Sequence, residues 1–181
     1  MAFNHDTNVS LQAAAALVNT AEEPETMNTL DDLEAYFTDH EFSGSHDATQ
    51  AELDQVRAVR PRLRALLTAD RDRAAELVNA AMSELGAVPH LVRHSGWDWH
   101  LHATNDSFAL ADRIVVDTAL AMIDVIRADE LSRLSVCADD DCGGVVVDLS
   151  RNRSRKFCST TCGNRNAVAA YRARQAEADA D

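Results

Sequence analysis

Apolar residues recur at three- and four-residue intervals through most of the first 128 positions, and that period predicts a helical domain. Residues 9–20, VSLQAAAALVNT, form an Ala/Leu-rich helix ending near Asn19 and Thr20. A polar loop broken by Pro24 follows. Leu30, Leu33, Tyr36 and Phe37 then mark a helix over LDDLEAYFTDH, with Asn28 or Thr29 as its cap. Thr49 and Glu52 read as a capping box at the head of a longer helix whose stripe is Leu53, Val56, Val59, Leu63, Leu66 and Leu67. Pro61 interrupts that stripe, so the helix is expected to kink or split there. Ala74, Leu77, Val78, Ala81, Met82 and Leu85 give a further helix over 71–85, stopped by Gly86. The widest stripe, from Ala111 through Ile114, Val115, Ala119, Met122, Ile123 and Ile126, predicts the central core helix over 107–128.

The period changes to two at 88–103, VPHLVRHSGWDWHLHA. Ser95-Gly96 is a turn signal, and Trp97, Trp99, Leu101 and Ala103 alternate with Asp98, His100 and His102, so a β-hairpin with one apolar face is expected. His90, His94, His100 and His102 could converge across it, but none of their spacings is catalytic, and they read as the polar, exposed face. A ligand pocket in this domain is expected first at this hairpin. Residues 131–136, LSRLSV, read as a short strand leading directly into Cys137. Without a long linker there, whatever follows should dock close to the helices. The arginines at 57, 60, 62, 64, 71 and 73 alternate with Asp54, Asp70, Asp72 and Glu76 and read as a solvated, salt-bridged face.

Composition changes this picture at the C-terminal end. The formal net charge of the 181 residues is −13, but it is divided sharply. Residues 1–150 carry 10 Lys/Arg against 27 Asp/Glu, whereas residues 151–175 carry seven cations and no acid. Such asymmetry points to a nucleic acid or an acidic partner. No apolar run approaches the ~20 residues that cross a bilayer, and the N-terminus lacks the basic and apolar regions of a secretory signal. A cytoplasmic protein without membrane contact is expected.

All four cysteines lie in the same region, as Cys137-x4-Cys142 and Cys158-x3-Cys162 with fifteen residues between the pairs. In a reducing compartment this pattern favours one structural Zn2+ held by four thiolates over disulfides. Four such ligands leave no open position for catalytic water. Val145-Val146-Val147 is a β-former, and the sequence after Cys158 has helical character, with Ser159, Thr160 and Thr161 as cap candidates. The expected plan is a knuckle, a hairpin and a helix supplying the last ligands, the treble-clef arrangement. The fold class is thus α+β and mostly helical: a helical domain with a small hairpin over 1–130, a zinc finger over 131–176, and an acidic tail over 177–181.

The segment from Ser150 through Cys158-Ser159, continuing to Cys162-Gly163-Asn164-Arg165, resembles the CGNR zinc-finger family. Those bacterial proteins are described as putative stress-induced transcription regulators, in which the finger follows an ABATE-type domain. Leu17-Val18-Asn19-Thr20 resembles that N-terminal domain. Three residues separate the last two cysteines where the family commonly has four, and Gly144 stands where an aromatic is usual. The resemblance implies DNA binding by the finger. Arg151, Arg153, Arg155 and Lys156, with Asn164, Arg165, Arg172 and Arg174 on the following helix, are the expected contacts, because arginine forks suit phosphate oxygens and the guanine edge.

The reading favoured is a zinc-dependent, DNA-binding transcription regulator whose helical domain receives a small-molecule or protein signal or forms a homodimer. Two alternatives remain. The basic finger could dock on RNA or on an acidic protein surface, its own helical domain included. Cys158 or Cys162, activated by nearby cations, could serve a redox or metal sensor. With no nucleophile–base pair in the pattern, the chain is not read as an enzyme.

Overall fold

In the computed structural model, which describes residues 3–93, 96 and 98–178, six helices precede the cysteines. These are α1 (His5–Asn19), α2 (Leu30–Asp39), α3 (Gln50–Ala58), α4 (Arg60–Thr68), α5 (Arg71–Glu84) and α6 (Leu110–Arg127). A hairpin of β1 (His90–Val92) and β2 (His100–His102) lies between α5 and α6. A second hairpin of β3 (Leu134–Val136) and β4 (Val145–Val147) leads to α7 (Thr160–Ala178).

The helical period places its stripe as expected. Helix α6 is central, packing on α1, α3, α4 and α5. Leu11 and Leu17 of α1, Leu63 and Leu66 of α4, and Ile114 and Met122 of α6 are essentially inaccessible to solvent. Each such side chain contributes roughly 1.5–3 kcal/mol of burial. The breaks are local chemistry. Thr29 closes a full capping box, accepting from the Asp32 amide while the Asp32 carboxylate takes the Thr29 amide at 2.9 Å. At Pro61 the helix splits rather than kinks, and the proline sits in the first turn of α4, where no intrahelical N–H is lost. Gly86, at φ +58°, turns the chain after α5 and lets the Ala87 amide reach the Met82 carbonyl at 2.9 Å.

Four expectations need correction. Thr49 caps α3, but Glu52 does not return to the Thr49 amide. Its carboxylate takes the amides of Asp47 and Ala48 and pairs with His46, so the box is half formed. Residues 131–136 are not one strand, because Leu131–Arg133 is a single 3-10 turn before β3. The arginine face is ion-paired, but mostly not with the neighbouring acids. Arg57 and Arg60 share Glu25, Arg62 meets Glu84, and Arg71 meets Asp129. Arg60 is nearly buried.

The fourth correction concerns the first hairpin, which faces the other way. His100 is buried, while Leu91, Trp99 and Leu101 of the alternate register are exposed. Period two fixes which side chains share a face but not which face meets the core. Here His100 and His102 line a cavity with polar groups of α1 and α6, whereas His90 stays exposed and Ala103 of the expected apolar face is buried. His94, Ser95 and Trp97 lie outside the described residues.

The candidate metal centre and its basic surround

Strand β3 delivers Cys137, and the turn that follows is closed by the Cys142 amide on the Asp139 carbonyl at 2.9 Å. The Asp139 carboxylate also takes the Asp141 amide. Cys137 and Gly144 then resume the ladder, with an N···O distance of 2.7 Å. Cys158 lies just before α7, and Cys162 is in its first turn, where the Ser159 hydroxyl accepts the Cys162 amide at 3.2 Å. Ser159 is therefore the cap among the three candidates. The hairpin knuckle and the helix N-terminus carry two cysteines each, as the treble-clef plan requires.

The four Sγ atoms lie within 4.8 Å of one another, and no pair forms a disulfide. The Cys142–Cys158 and Cys158–Cys162 separations are 3.5 and 3.8 Å. A tetrahedron of ~2.3 Å zinc–thiolate bonds has edges of about 3.8 Å, so the donor set fits the ion. The Gly144 and Cys158 amides point at Cys142 and Cys137 sulfur, each at 3.4 Å, as they would toward bound thiolates. Burial pushes the Cys142 and Cys158 thiols above their ordinary value, and at Cys158 the neighbouring thiols raise it further. Keeping those two as thiolates therefore calls for a cation beside them. The arginines nearby do not activate Cys158 by themselves.

Glycine is required at the knuckle by close approach. A Cβ on Gly144 would stand 2.8 Å from Cys158 Sγ and 3.2 Å from Asn19 Oδ1. That asparagine, at the end of α1, holds the knuckle by two backbone bonds. Its Nδ2 donates to the Val145 carbonyl at 2.8 Å, and its Oδ1 accepts the Val145 amide at 2.6 Å. Glu22 accepts the Gly143 amide at 2.9 Å, and Arg64 of α4 donates to the Gly143 carbonyl and to Glu22. Val145 and Val147 belong to the main core, so the hairpin is docked on the helices, as the missing linker predicts. Asn19, Glu22 and Arg64 were not singled out as site residues from the sequence. The one signal available was Asn19 within Leu-Val-Asn-Thr.

The eight expected nucleic-acid contacts divide into two groups. Arg153, at φ +49°, pairs with Glu130 at 2.7 Å and reaches Ser132. Arg155 donates to the carbonyls of Phe157 and Cys158, and its amide goes to buried Asp148. Burial raises the Asp148 carboxyl, but bonds from Ser150 and Arg155 and the charge of Arg133 outweigh that and hold it below the usual range. Arg165 lies 3.3 Å from the buried carboxylate of Asp139. These three cations brace the ligand loops. Arg151, Lys156, Asn164, Arg172 and Arg174 are exposed, and their side chains have no polar partner among the described residues. Only Cys162 is buried along α7, so the helix offers its cations to solvent.

The histidines do not make a second centre among the described residues. His100 and His102 meet at 3.1 Å, whereas the His90 ring bonds the Val88 carbonyl.

Comparison with known families fits this geometry. The CGNR zinc finger matches residues 133–175, and ABATE, described as a putative stress-induced transcription regulator, matches residues 11–129. The chain belongs to the ABATE family and carries its CGNR finger in the C-terminal position. A comparison with curated proteins gave no match. Both families are regulator-like, and the four cysteines form a group able to bind metal. No helix among the described residues is long and apolar enough to cross a membrane.

Proposed function

We propose that this protein is a cytoplasmic, non-enzymatic transcription regulator that binds DNA through its finger, with one structural zinc ion held by Cys137, Cys142, Cys158 and Cys162. The observation that carries the reading is the set of cations free of acidic partners on the knuckle loop and α7. Arg151, Lys156, Arg172 and Arg174 face solvent without side-chain bonds among the described residues, and a phosphate can therefore take them without breaking the fold. Arg153, Arg155 and Arg165 add field, but their contacts make them supports first. The acidic surface behind the finger opposes non-specific adsorption of DNA to the helices.

Anisotropy of mixed genomic DNA fragments, titrated with zinc-loaded protein at increasing salt, tests this. If about four phosphates are neutralised, log affinity should fall with log salt at a slope of roughly −3.6. Reversing Arg151, Lys156, Arg172 and Arg174 to Glu should abolish binding while the metal stays bound. Equal binding by that variant would remove the proposed surface. The Arg153–Glu130 pair favours a second reading in part, that some of the basic charge docks the finger on its own domain. Competitor RNA in the same titration separates a general polyanion binder from a DNA-selective one.

A further inference from the structure

A cavity of about 150 Å³ lies between the first turns of α1, the outer side of α6 and the inward face of the β1–β2 hairpin. Neither the metal centre nor the basic surface uses it. A space of this size holds about six non-hydrogen atoms. Phe42, Leu120 and Ile123 give it an apolar side, while Asp6, Asp117 and Asp124 bring carboxylates to it.

The charges around it are unevenly satisfied. Asp124 accepts the Thr7 hydroxyl at 2.6 Å. The terminal nitrogens of Arg113 are turned away to the carbonyls of Ser43 and Ser45, in a loop where a Cβ on Gly44 would collide with the guanidinium. Arg113 is 5% exposed, and its Nε has no hydrogen-bond partner among the described residues. Asp117, one turn further along α6 and half-buried at the cavity wall, forms no hydrogen bond or ion pair among the described residues. Burial pushes its carboxyl up to about 7, with Arg113 lowering it and Asp6 raising it. The imidazoles do not answer this charge. His100 Nδ1 lies 2.8 Å from the Asp98 carbonyl, which makes it the donor there and leaves Nε2 to accept from His102. Burial holds His40 below the ordinary histidine value.

We propose that this cavity binds a small primary amine, its ammonium group paired with Asp117 and its carbon body against Phe42, Leu120 and Ile123. An organic cation fits better than a metal ion, because the cysteines form the only convergent ligand group among the described residues. A half-buried carboxylate without a hydrogen-bond partner has lost part of its hydration, and a cation that brings its own hydrogen bonds offsets that loss. The site also has a route to the finger. Asp6, Val9 and Ala13 line the cavity from α1, and Asn19 at the far end of the same helix holds Val145. The amine would then be the signal that the helical domain receives, which rests on the regulator reading above.

Calorimetric titration of the full, zinc-loaded chain with 3-methylbutylamine tests the site, with 3-methylbutan-1-ol and 3-methylbutanoate as isosteres of other charge. The amine should bind, and each isostere should bind at least about tenfold more weakly. Asp117→Asn, with an unchanged circular dichroism spectrum, should weaken the amine at least about tenfold. Ser10→Leu, which narrows the cavity from α1 without altering a charge, should weaken it as well, and it decides the matter should Asp117→Asn not fold. Absence of amine binding at millimolar concentration, equal binding of the alcohol, or unchanged amine affinity in these variants would overturn the proposal. DNA affinity is measured without amine, so either reading can fail while the other stands.

Discussion

Between α1 and α6 the protein encloses large apolar side chains such as Leu11, Leu33, Leu63, Ile114 and Met122 with almost no exposure. Around the four cysteines only Val146 is enclosed in the same way, with Phe157 partly so. The helices are thus held by area removed from water, whereas the finger has a few hydrogen bonds and four thiols close enough to share a metal ion. The comparison teaches that the two parts should respond to different insults. Chelators should reach one, and truncation of leucines the other. The hairpin β3–β4 belongs to both, since Val145 and Val147 join the large core while Val146 faces the cysteines.

The sharpest division should come from metal removal. Structural zinc contributes roughly 10–16 kcal/mol of apparent binding energy in small fingers. A chelator should therefore unfold α7 and the ligand loops while α1–α6 persist, a pattern read by hydrogen exchange or limited proteolysis. Retained protection in 150–178 without metal would break the comparison.

Leu17→Ala should do the converse, lowering the stability of the helical core by about 3 kcal/mol. Denaturant unfolding monitored by circular dichroism would measure that loss, with the metal still bound below the midpoint. Asn19→Ala strikes the junction. It leaves the amide and carbonyl of Val145 without partners, at a cost of about 2 kcal/mol. That loss should appear both in the helical transition and in faster zinc release to a chelator.

Asp117→Asn should give the smallest effect, and it is a gain. The Asp117 carboxyl is raised from 3.8 to about 7 in the folded protein. The folded state therefore binds more protons than the unfolded one, and stability falls as pH rises from about 4 to 7. At pH 8 the variant should be more stable by on the order of 1 kcal/mol, well below what the full shift implies because the carboxylate is only half-buried and faces the cavity. Melting at pH 8 and pH 4 checks it, since the advantage should vanish at the lower value.

What was legible in the sequence follows the same division. Helical stripes are local, so α6 and the split at Pro61 could be read directly. The cysteine spacing likewise pointed to the four thiols that converge, because donor identity and short separations constrain such a group without knowledge of the rest. The inverted hairpin was not legible, since alternation at Leu91, Leu101, His100 and His102 is symmetric until the neighbouring surface is known. Nor was the division among the arginines. Arg151 and Arg153 differ by two positions in the same basic run, yet one has no polar partner among the described residues and the other meets Glu130, across a contact that local pattern does not contain.

The bonds between Asn19 and Val145 join residues 126 apart. On a ribosome adding about 5–20 residues per second, the end of α1 would wait roughly 6–25 seconds for its partner. During that interval Asn19, Glu22 and Arg64 form a polar docking edge with nothing yet to receive it. Docking at the end of α1 thus waits on a segment 126 residues further along the chain, and a chain stopped before Gly143 would leave Asn19 without its Val145 partner.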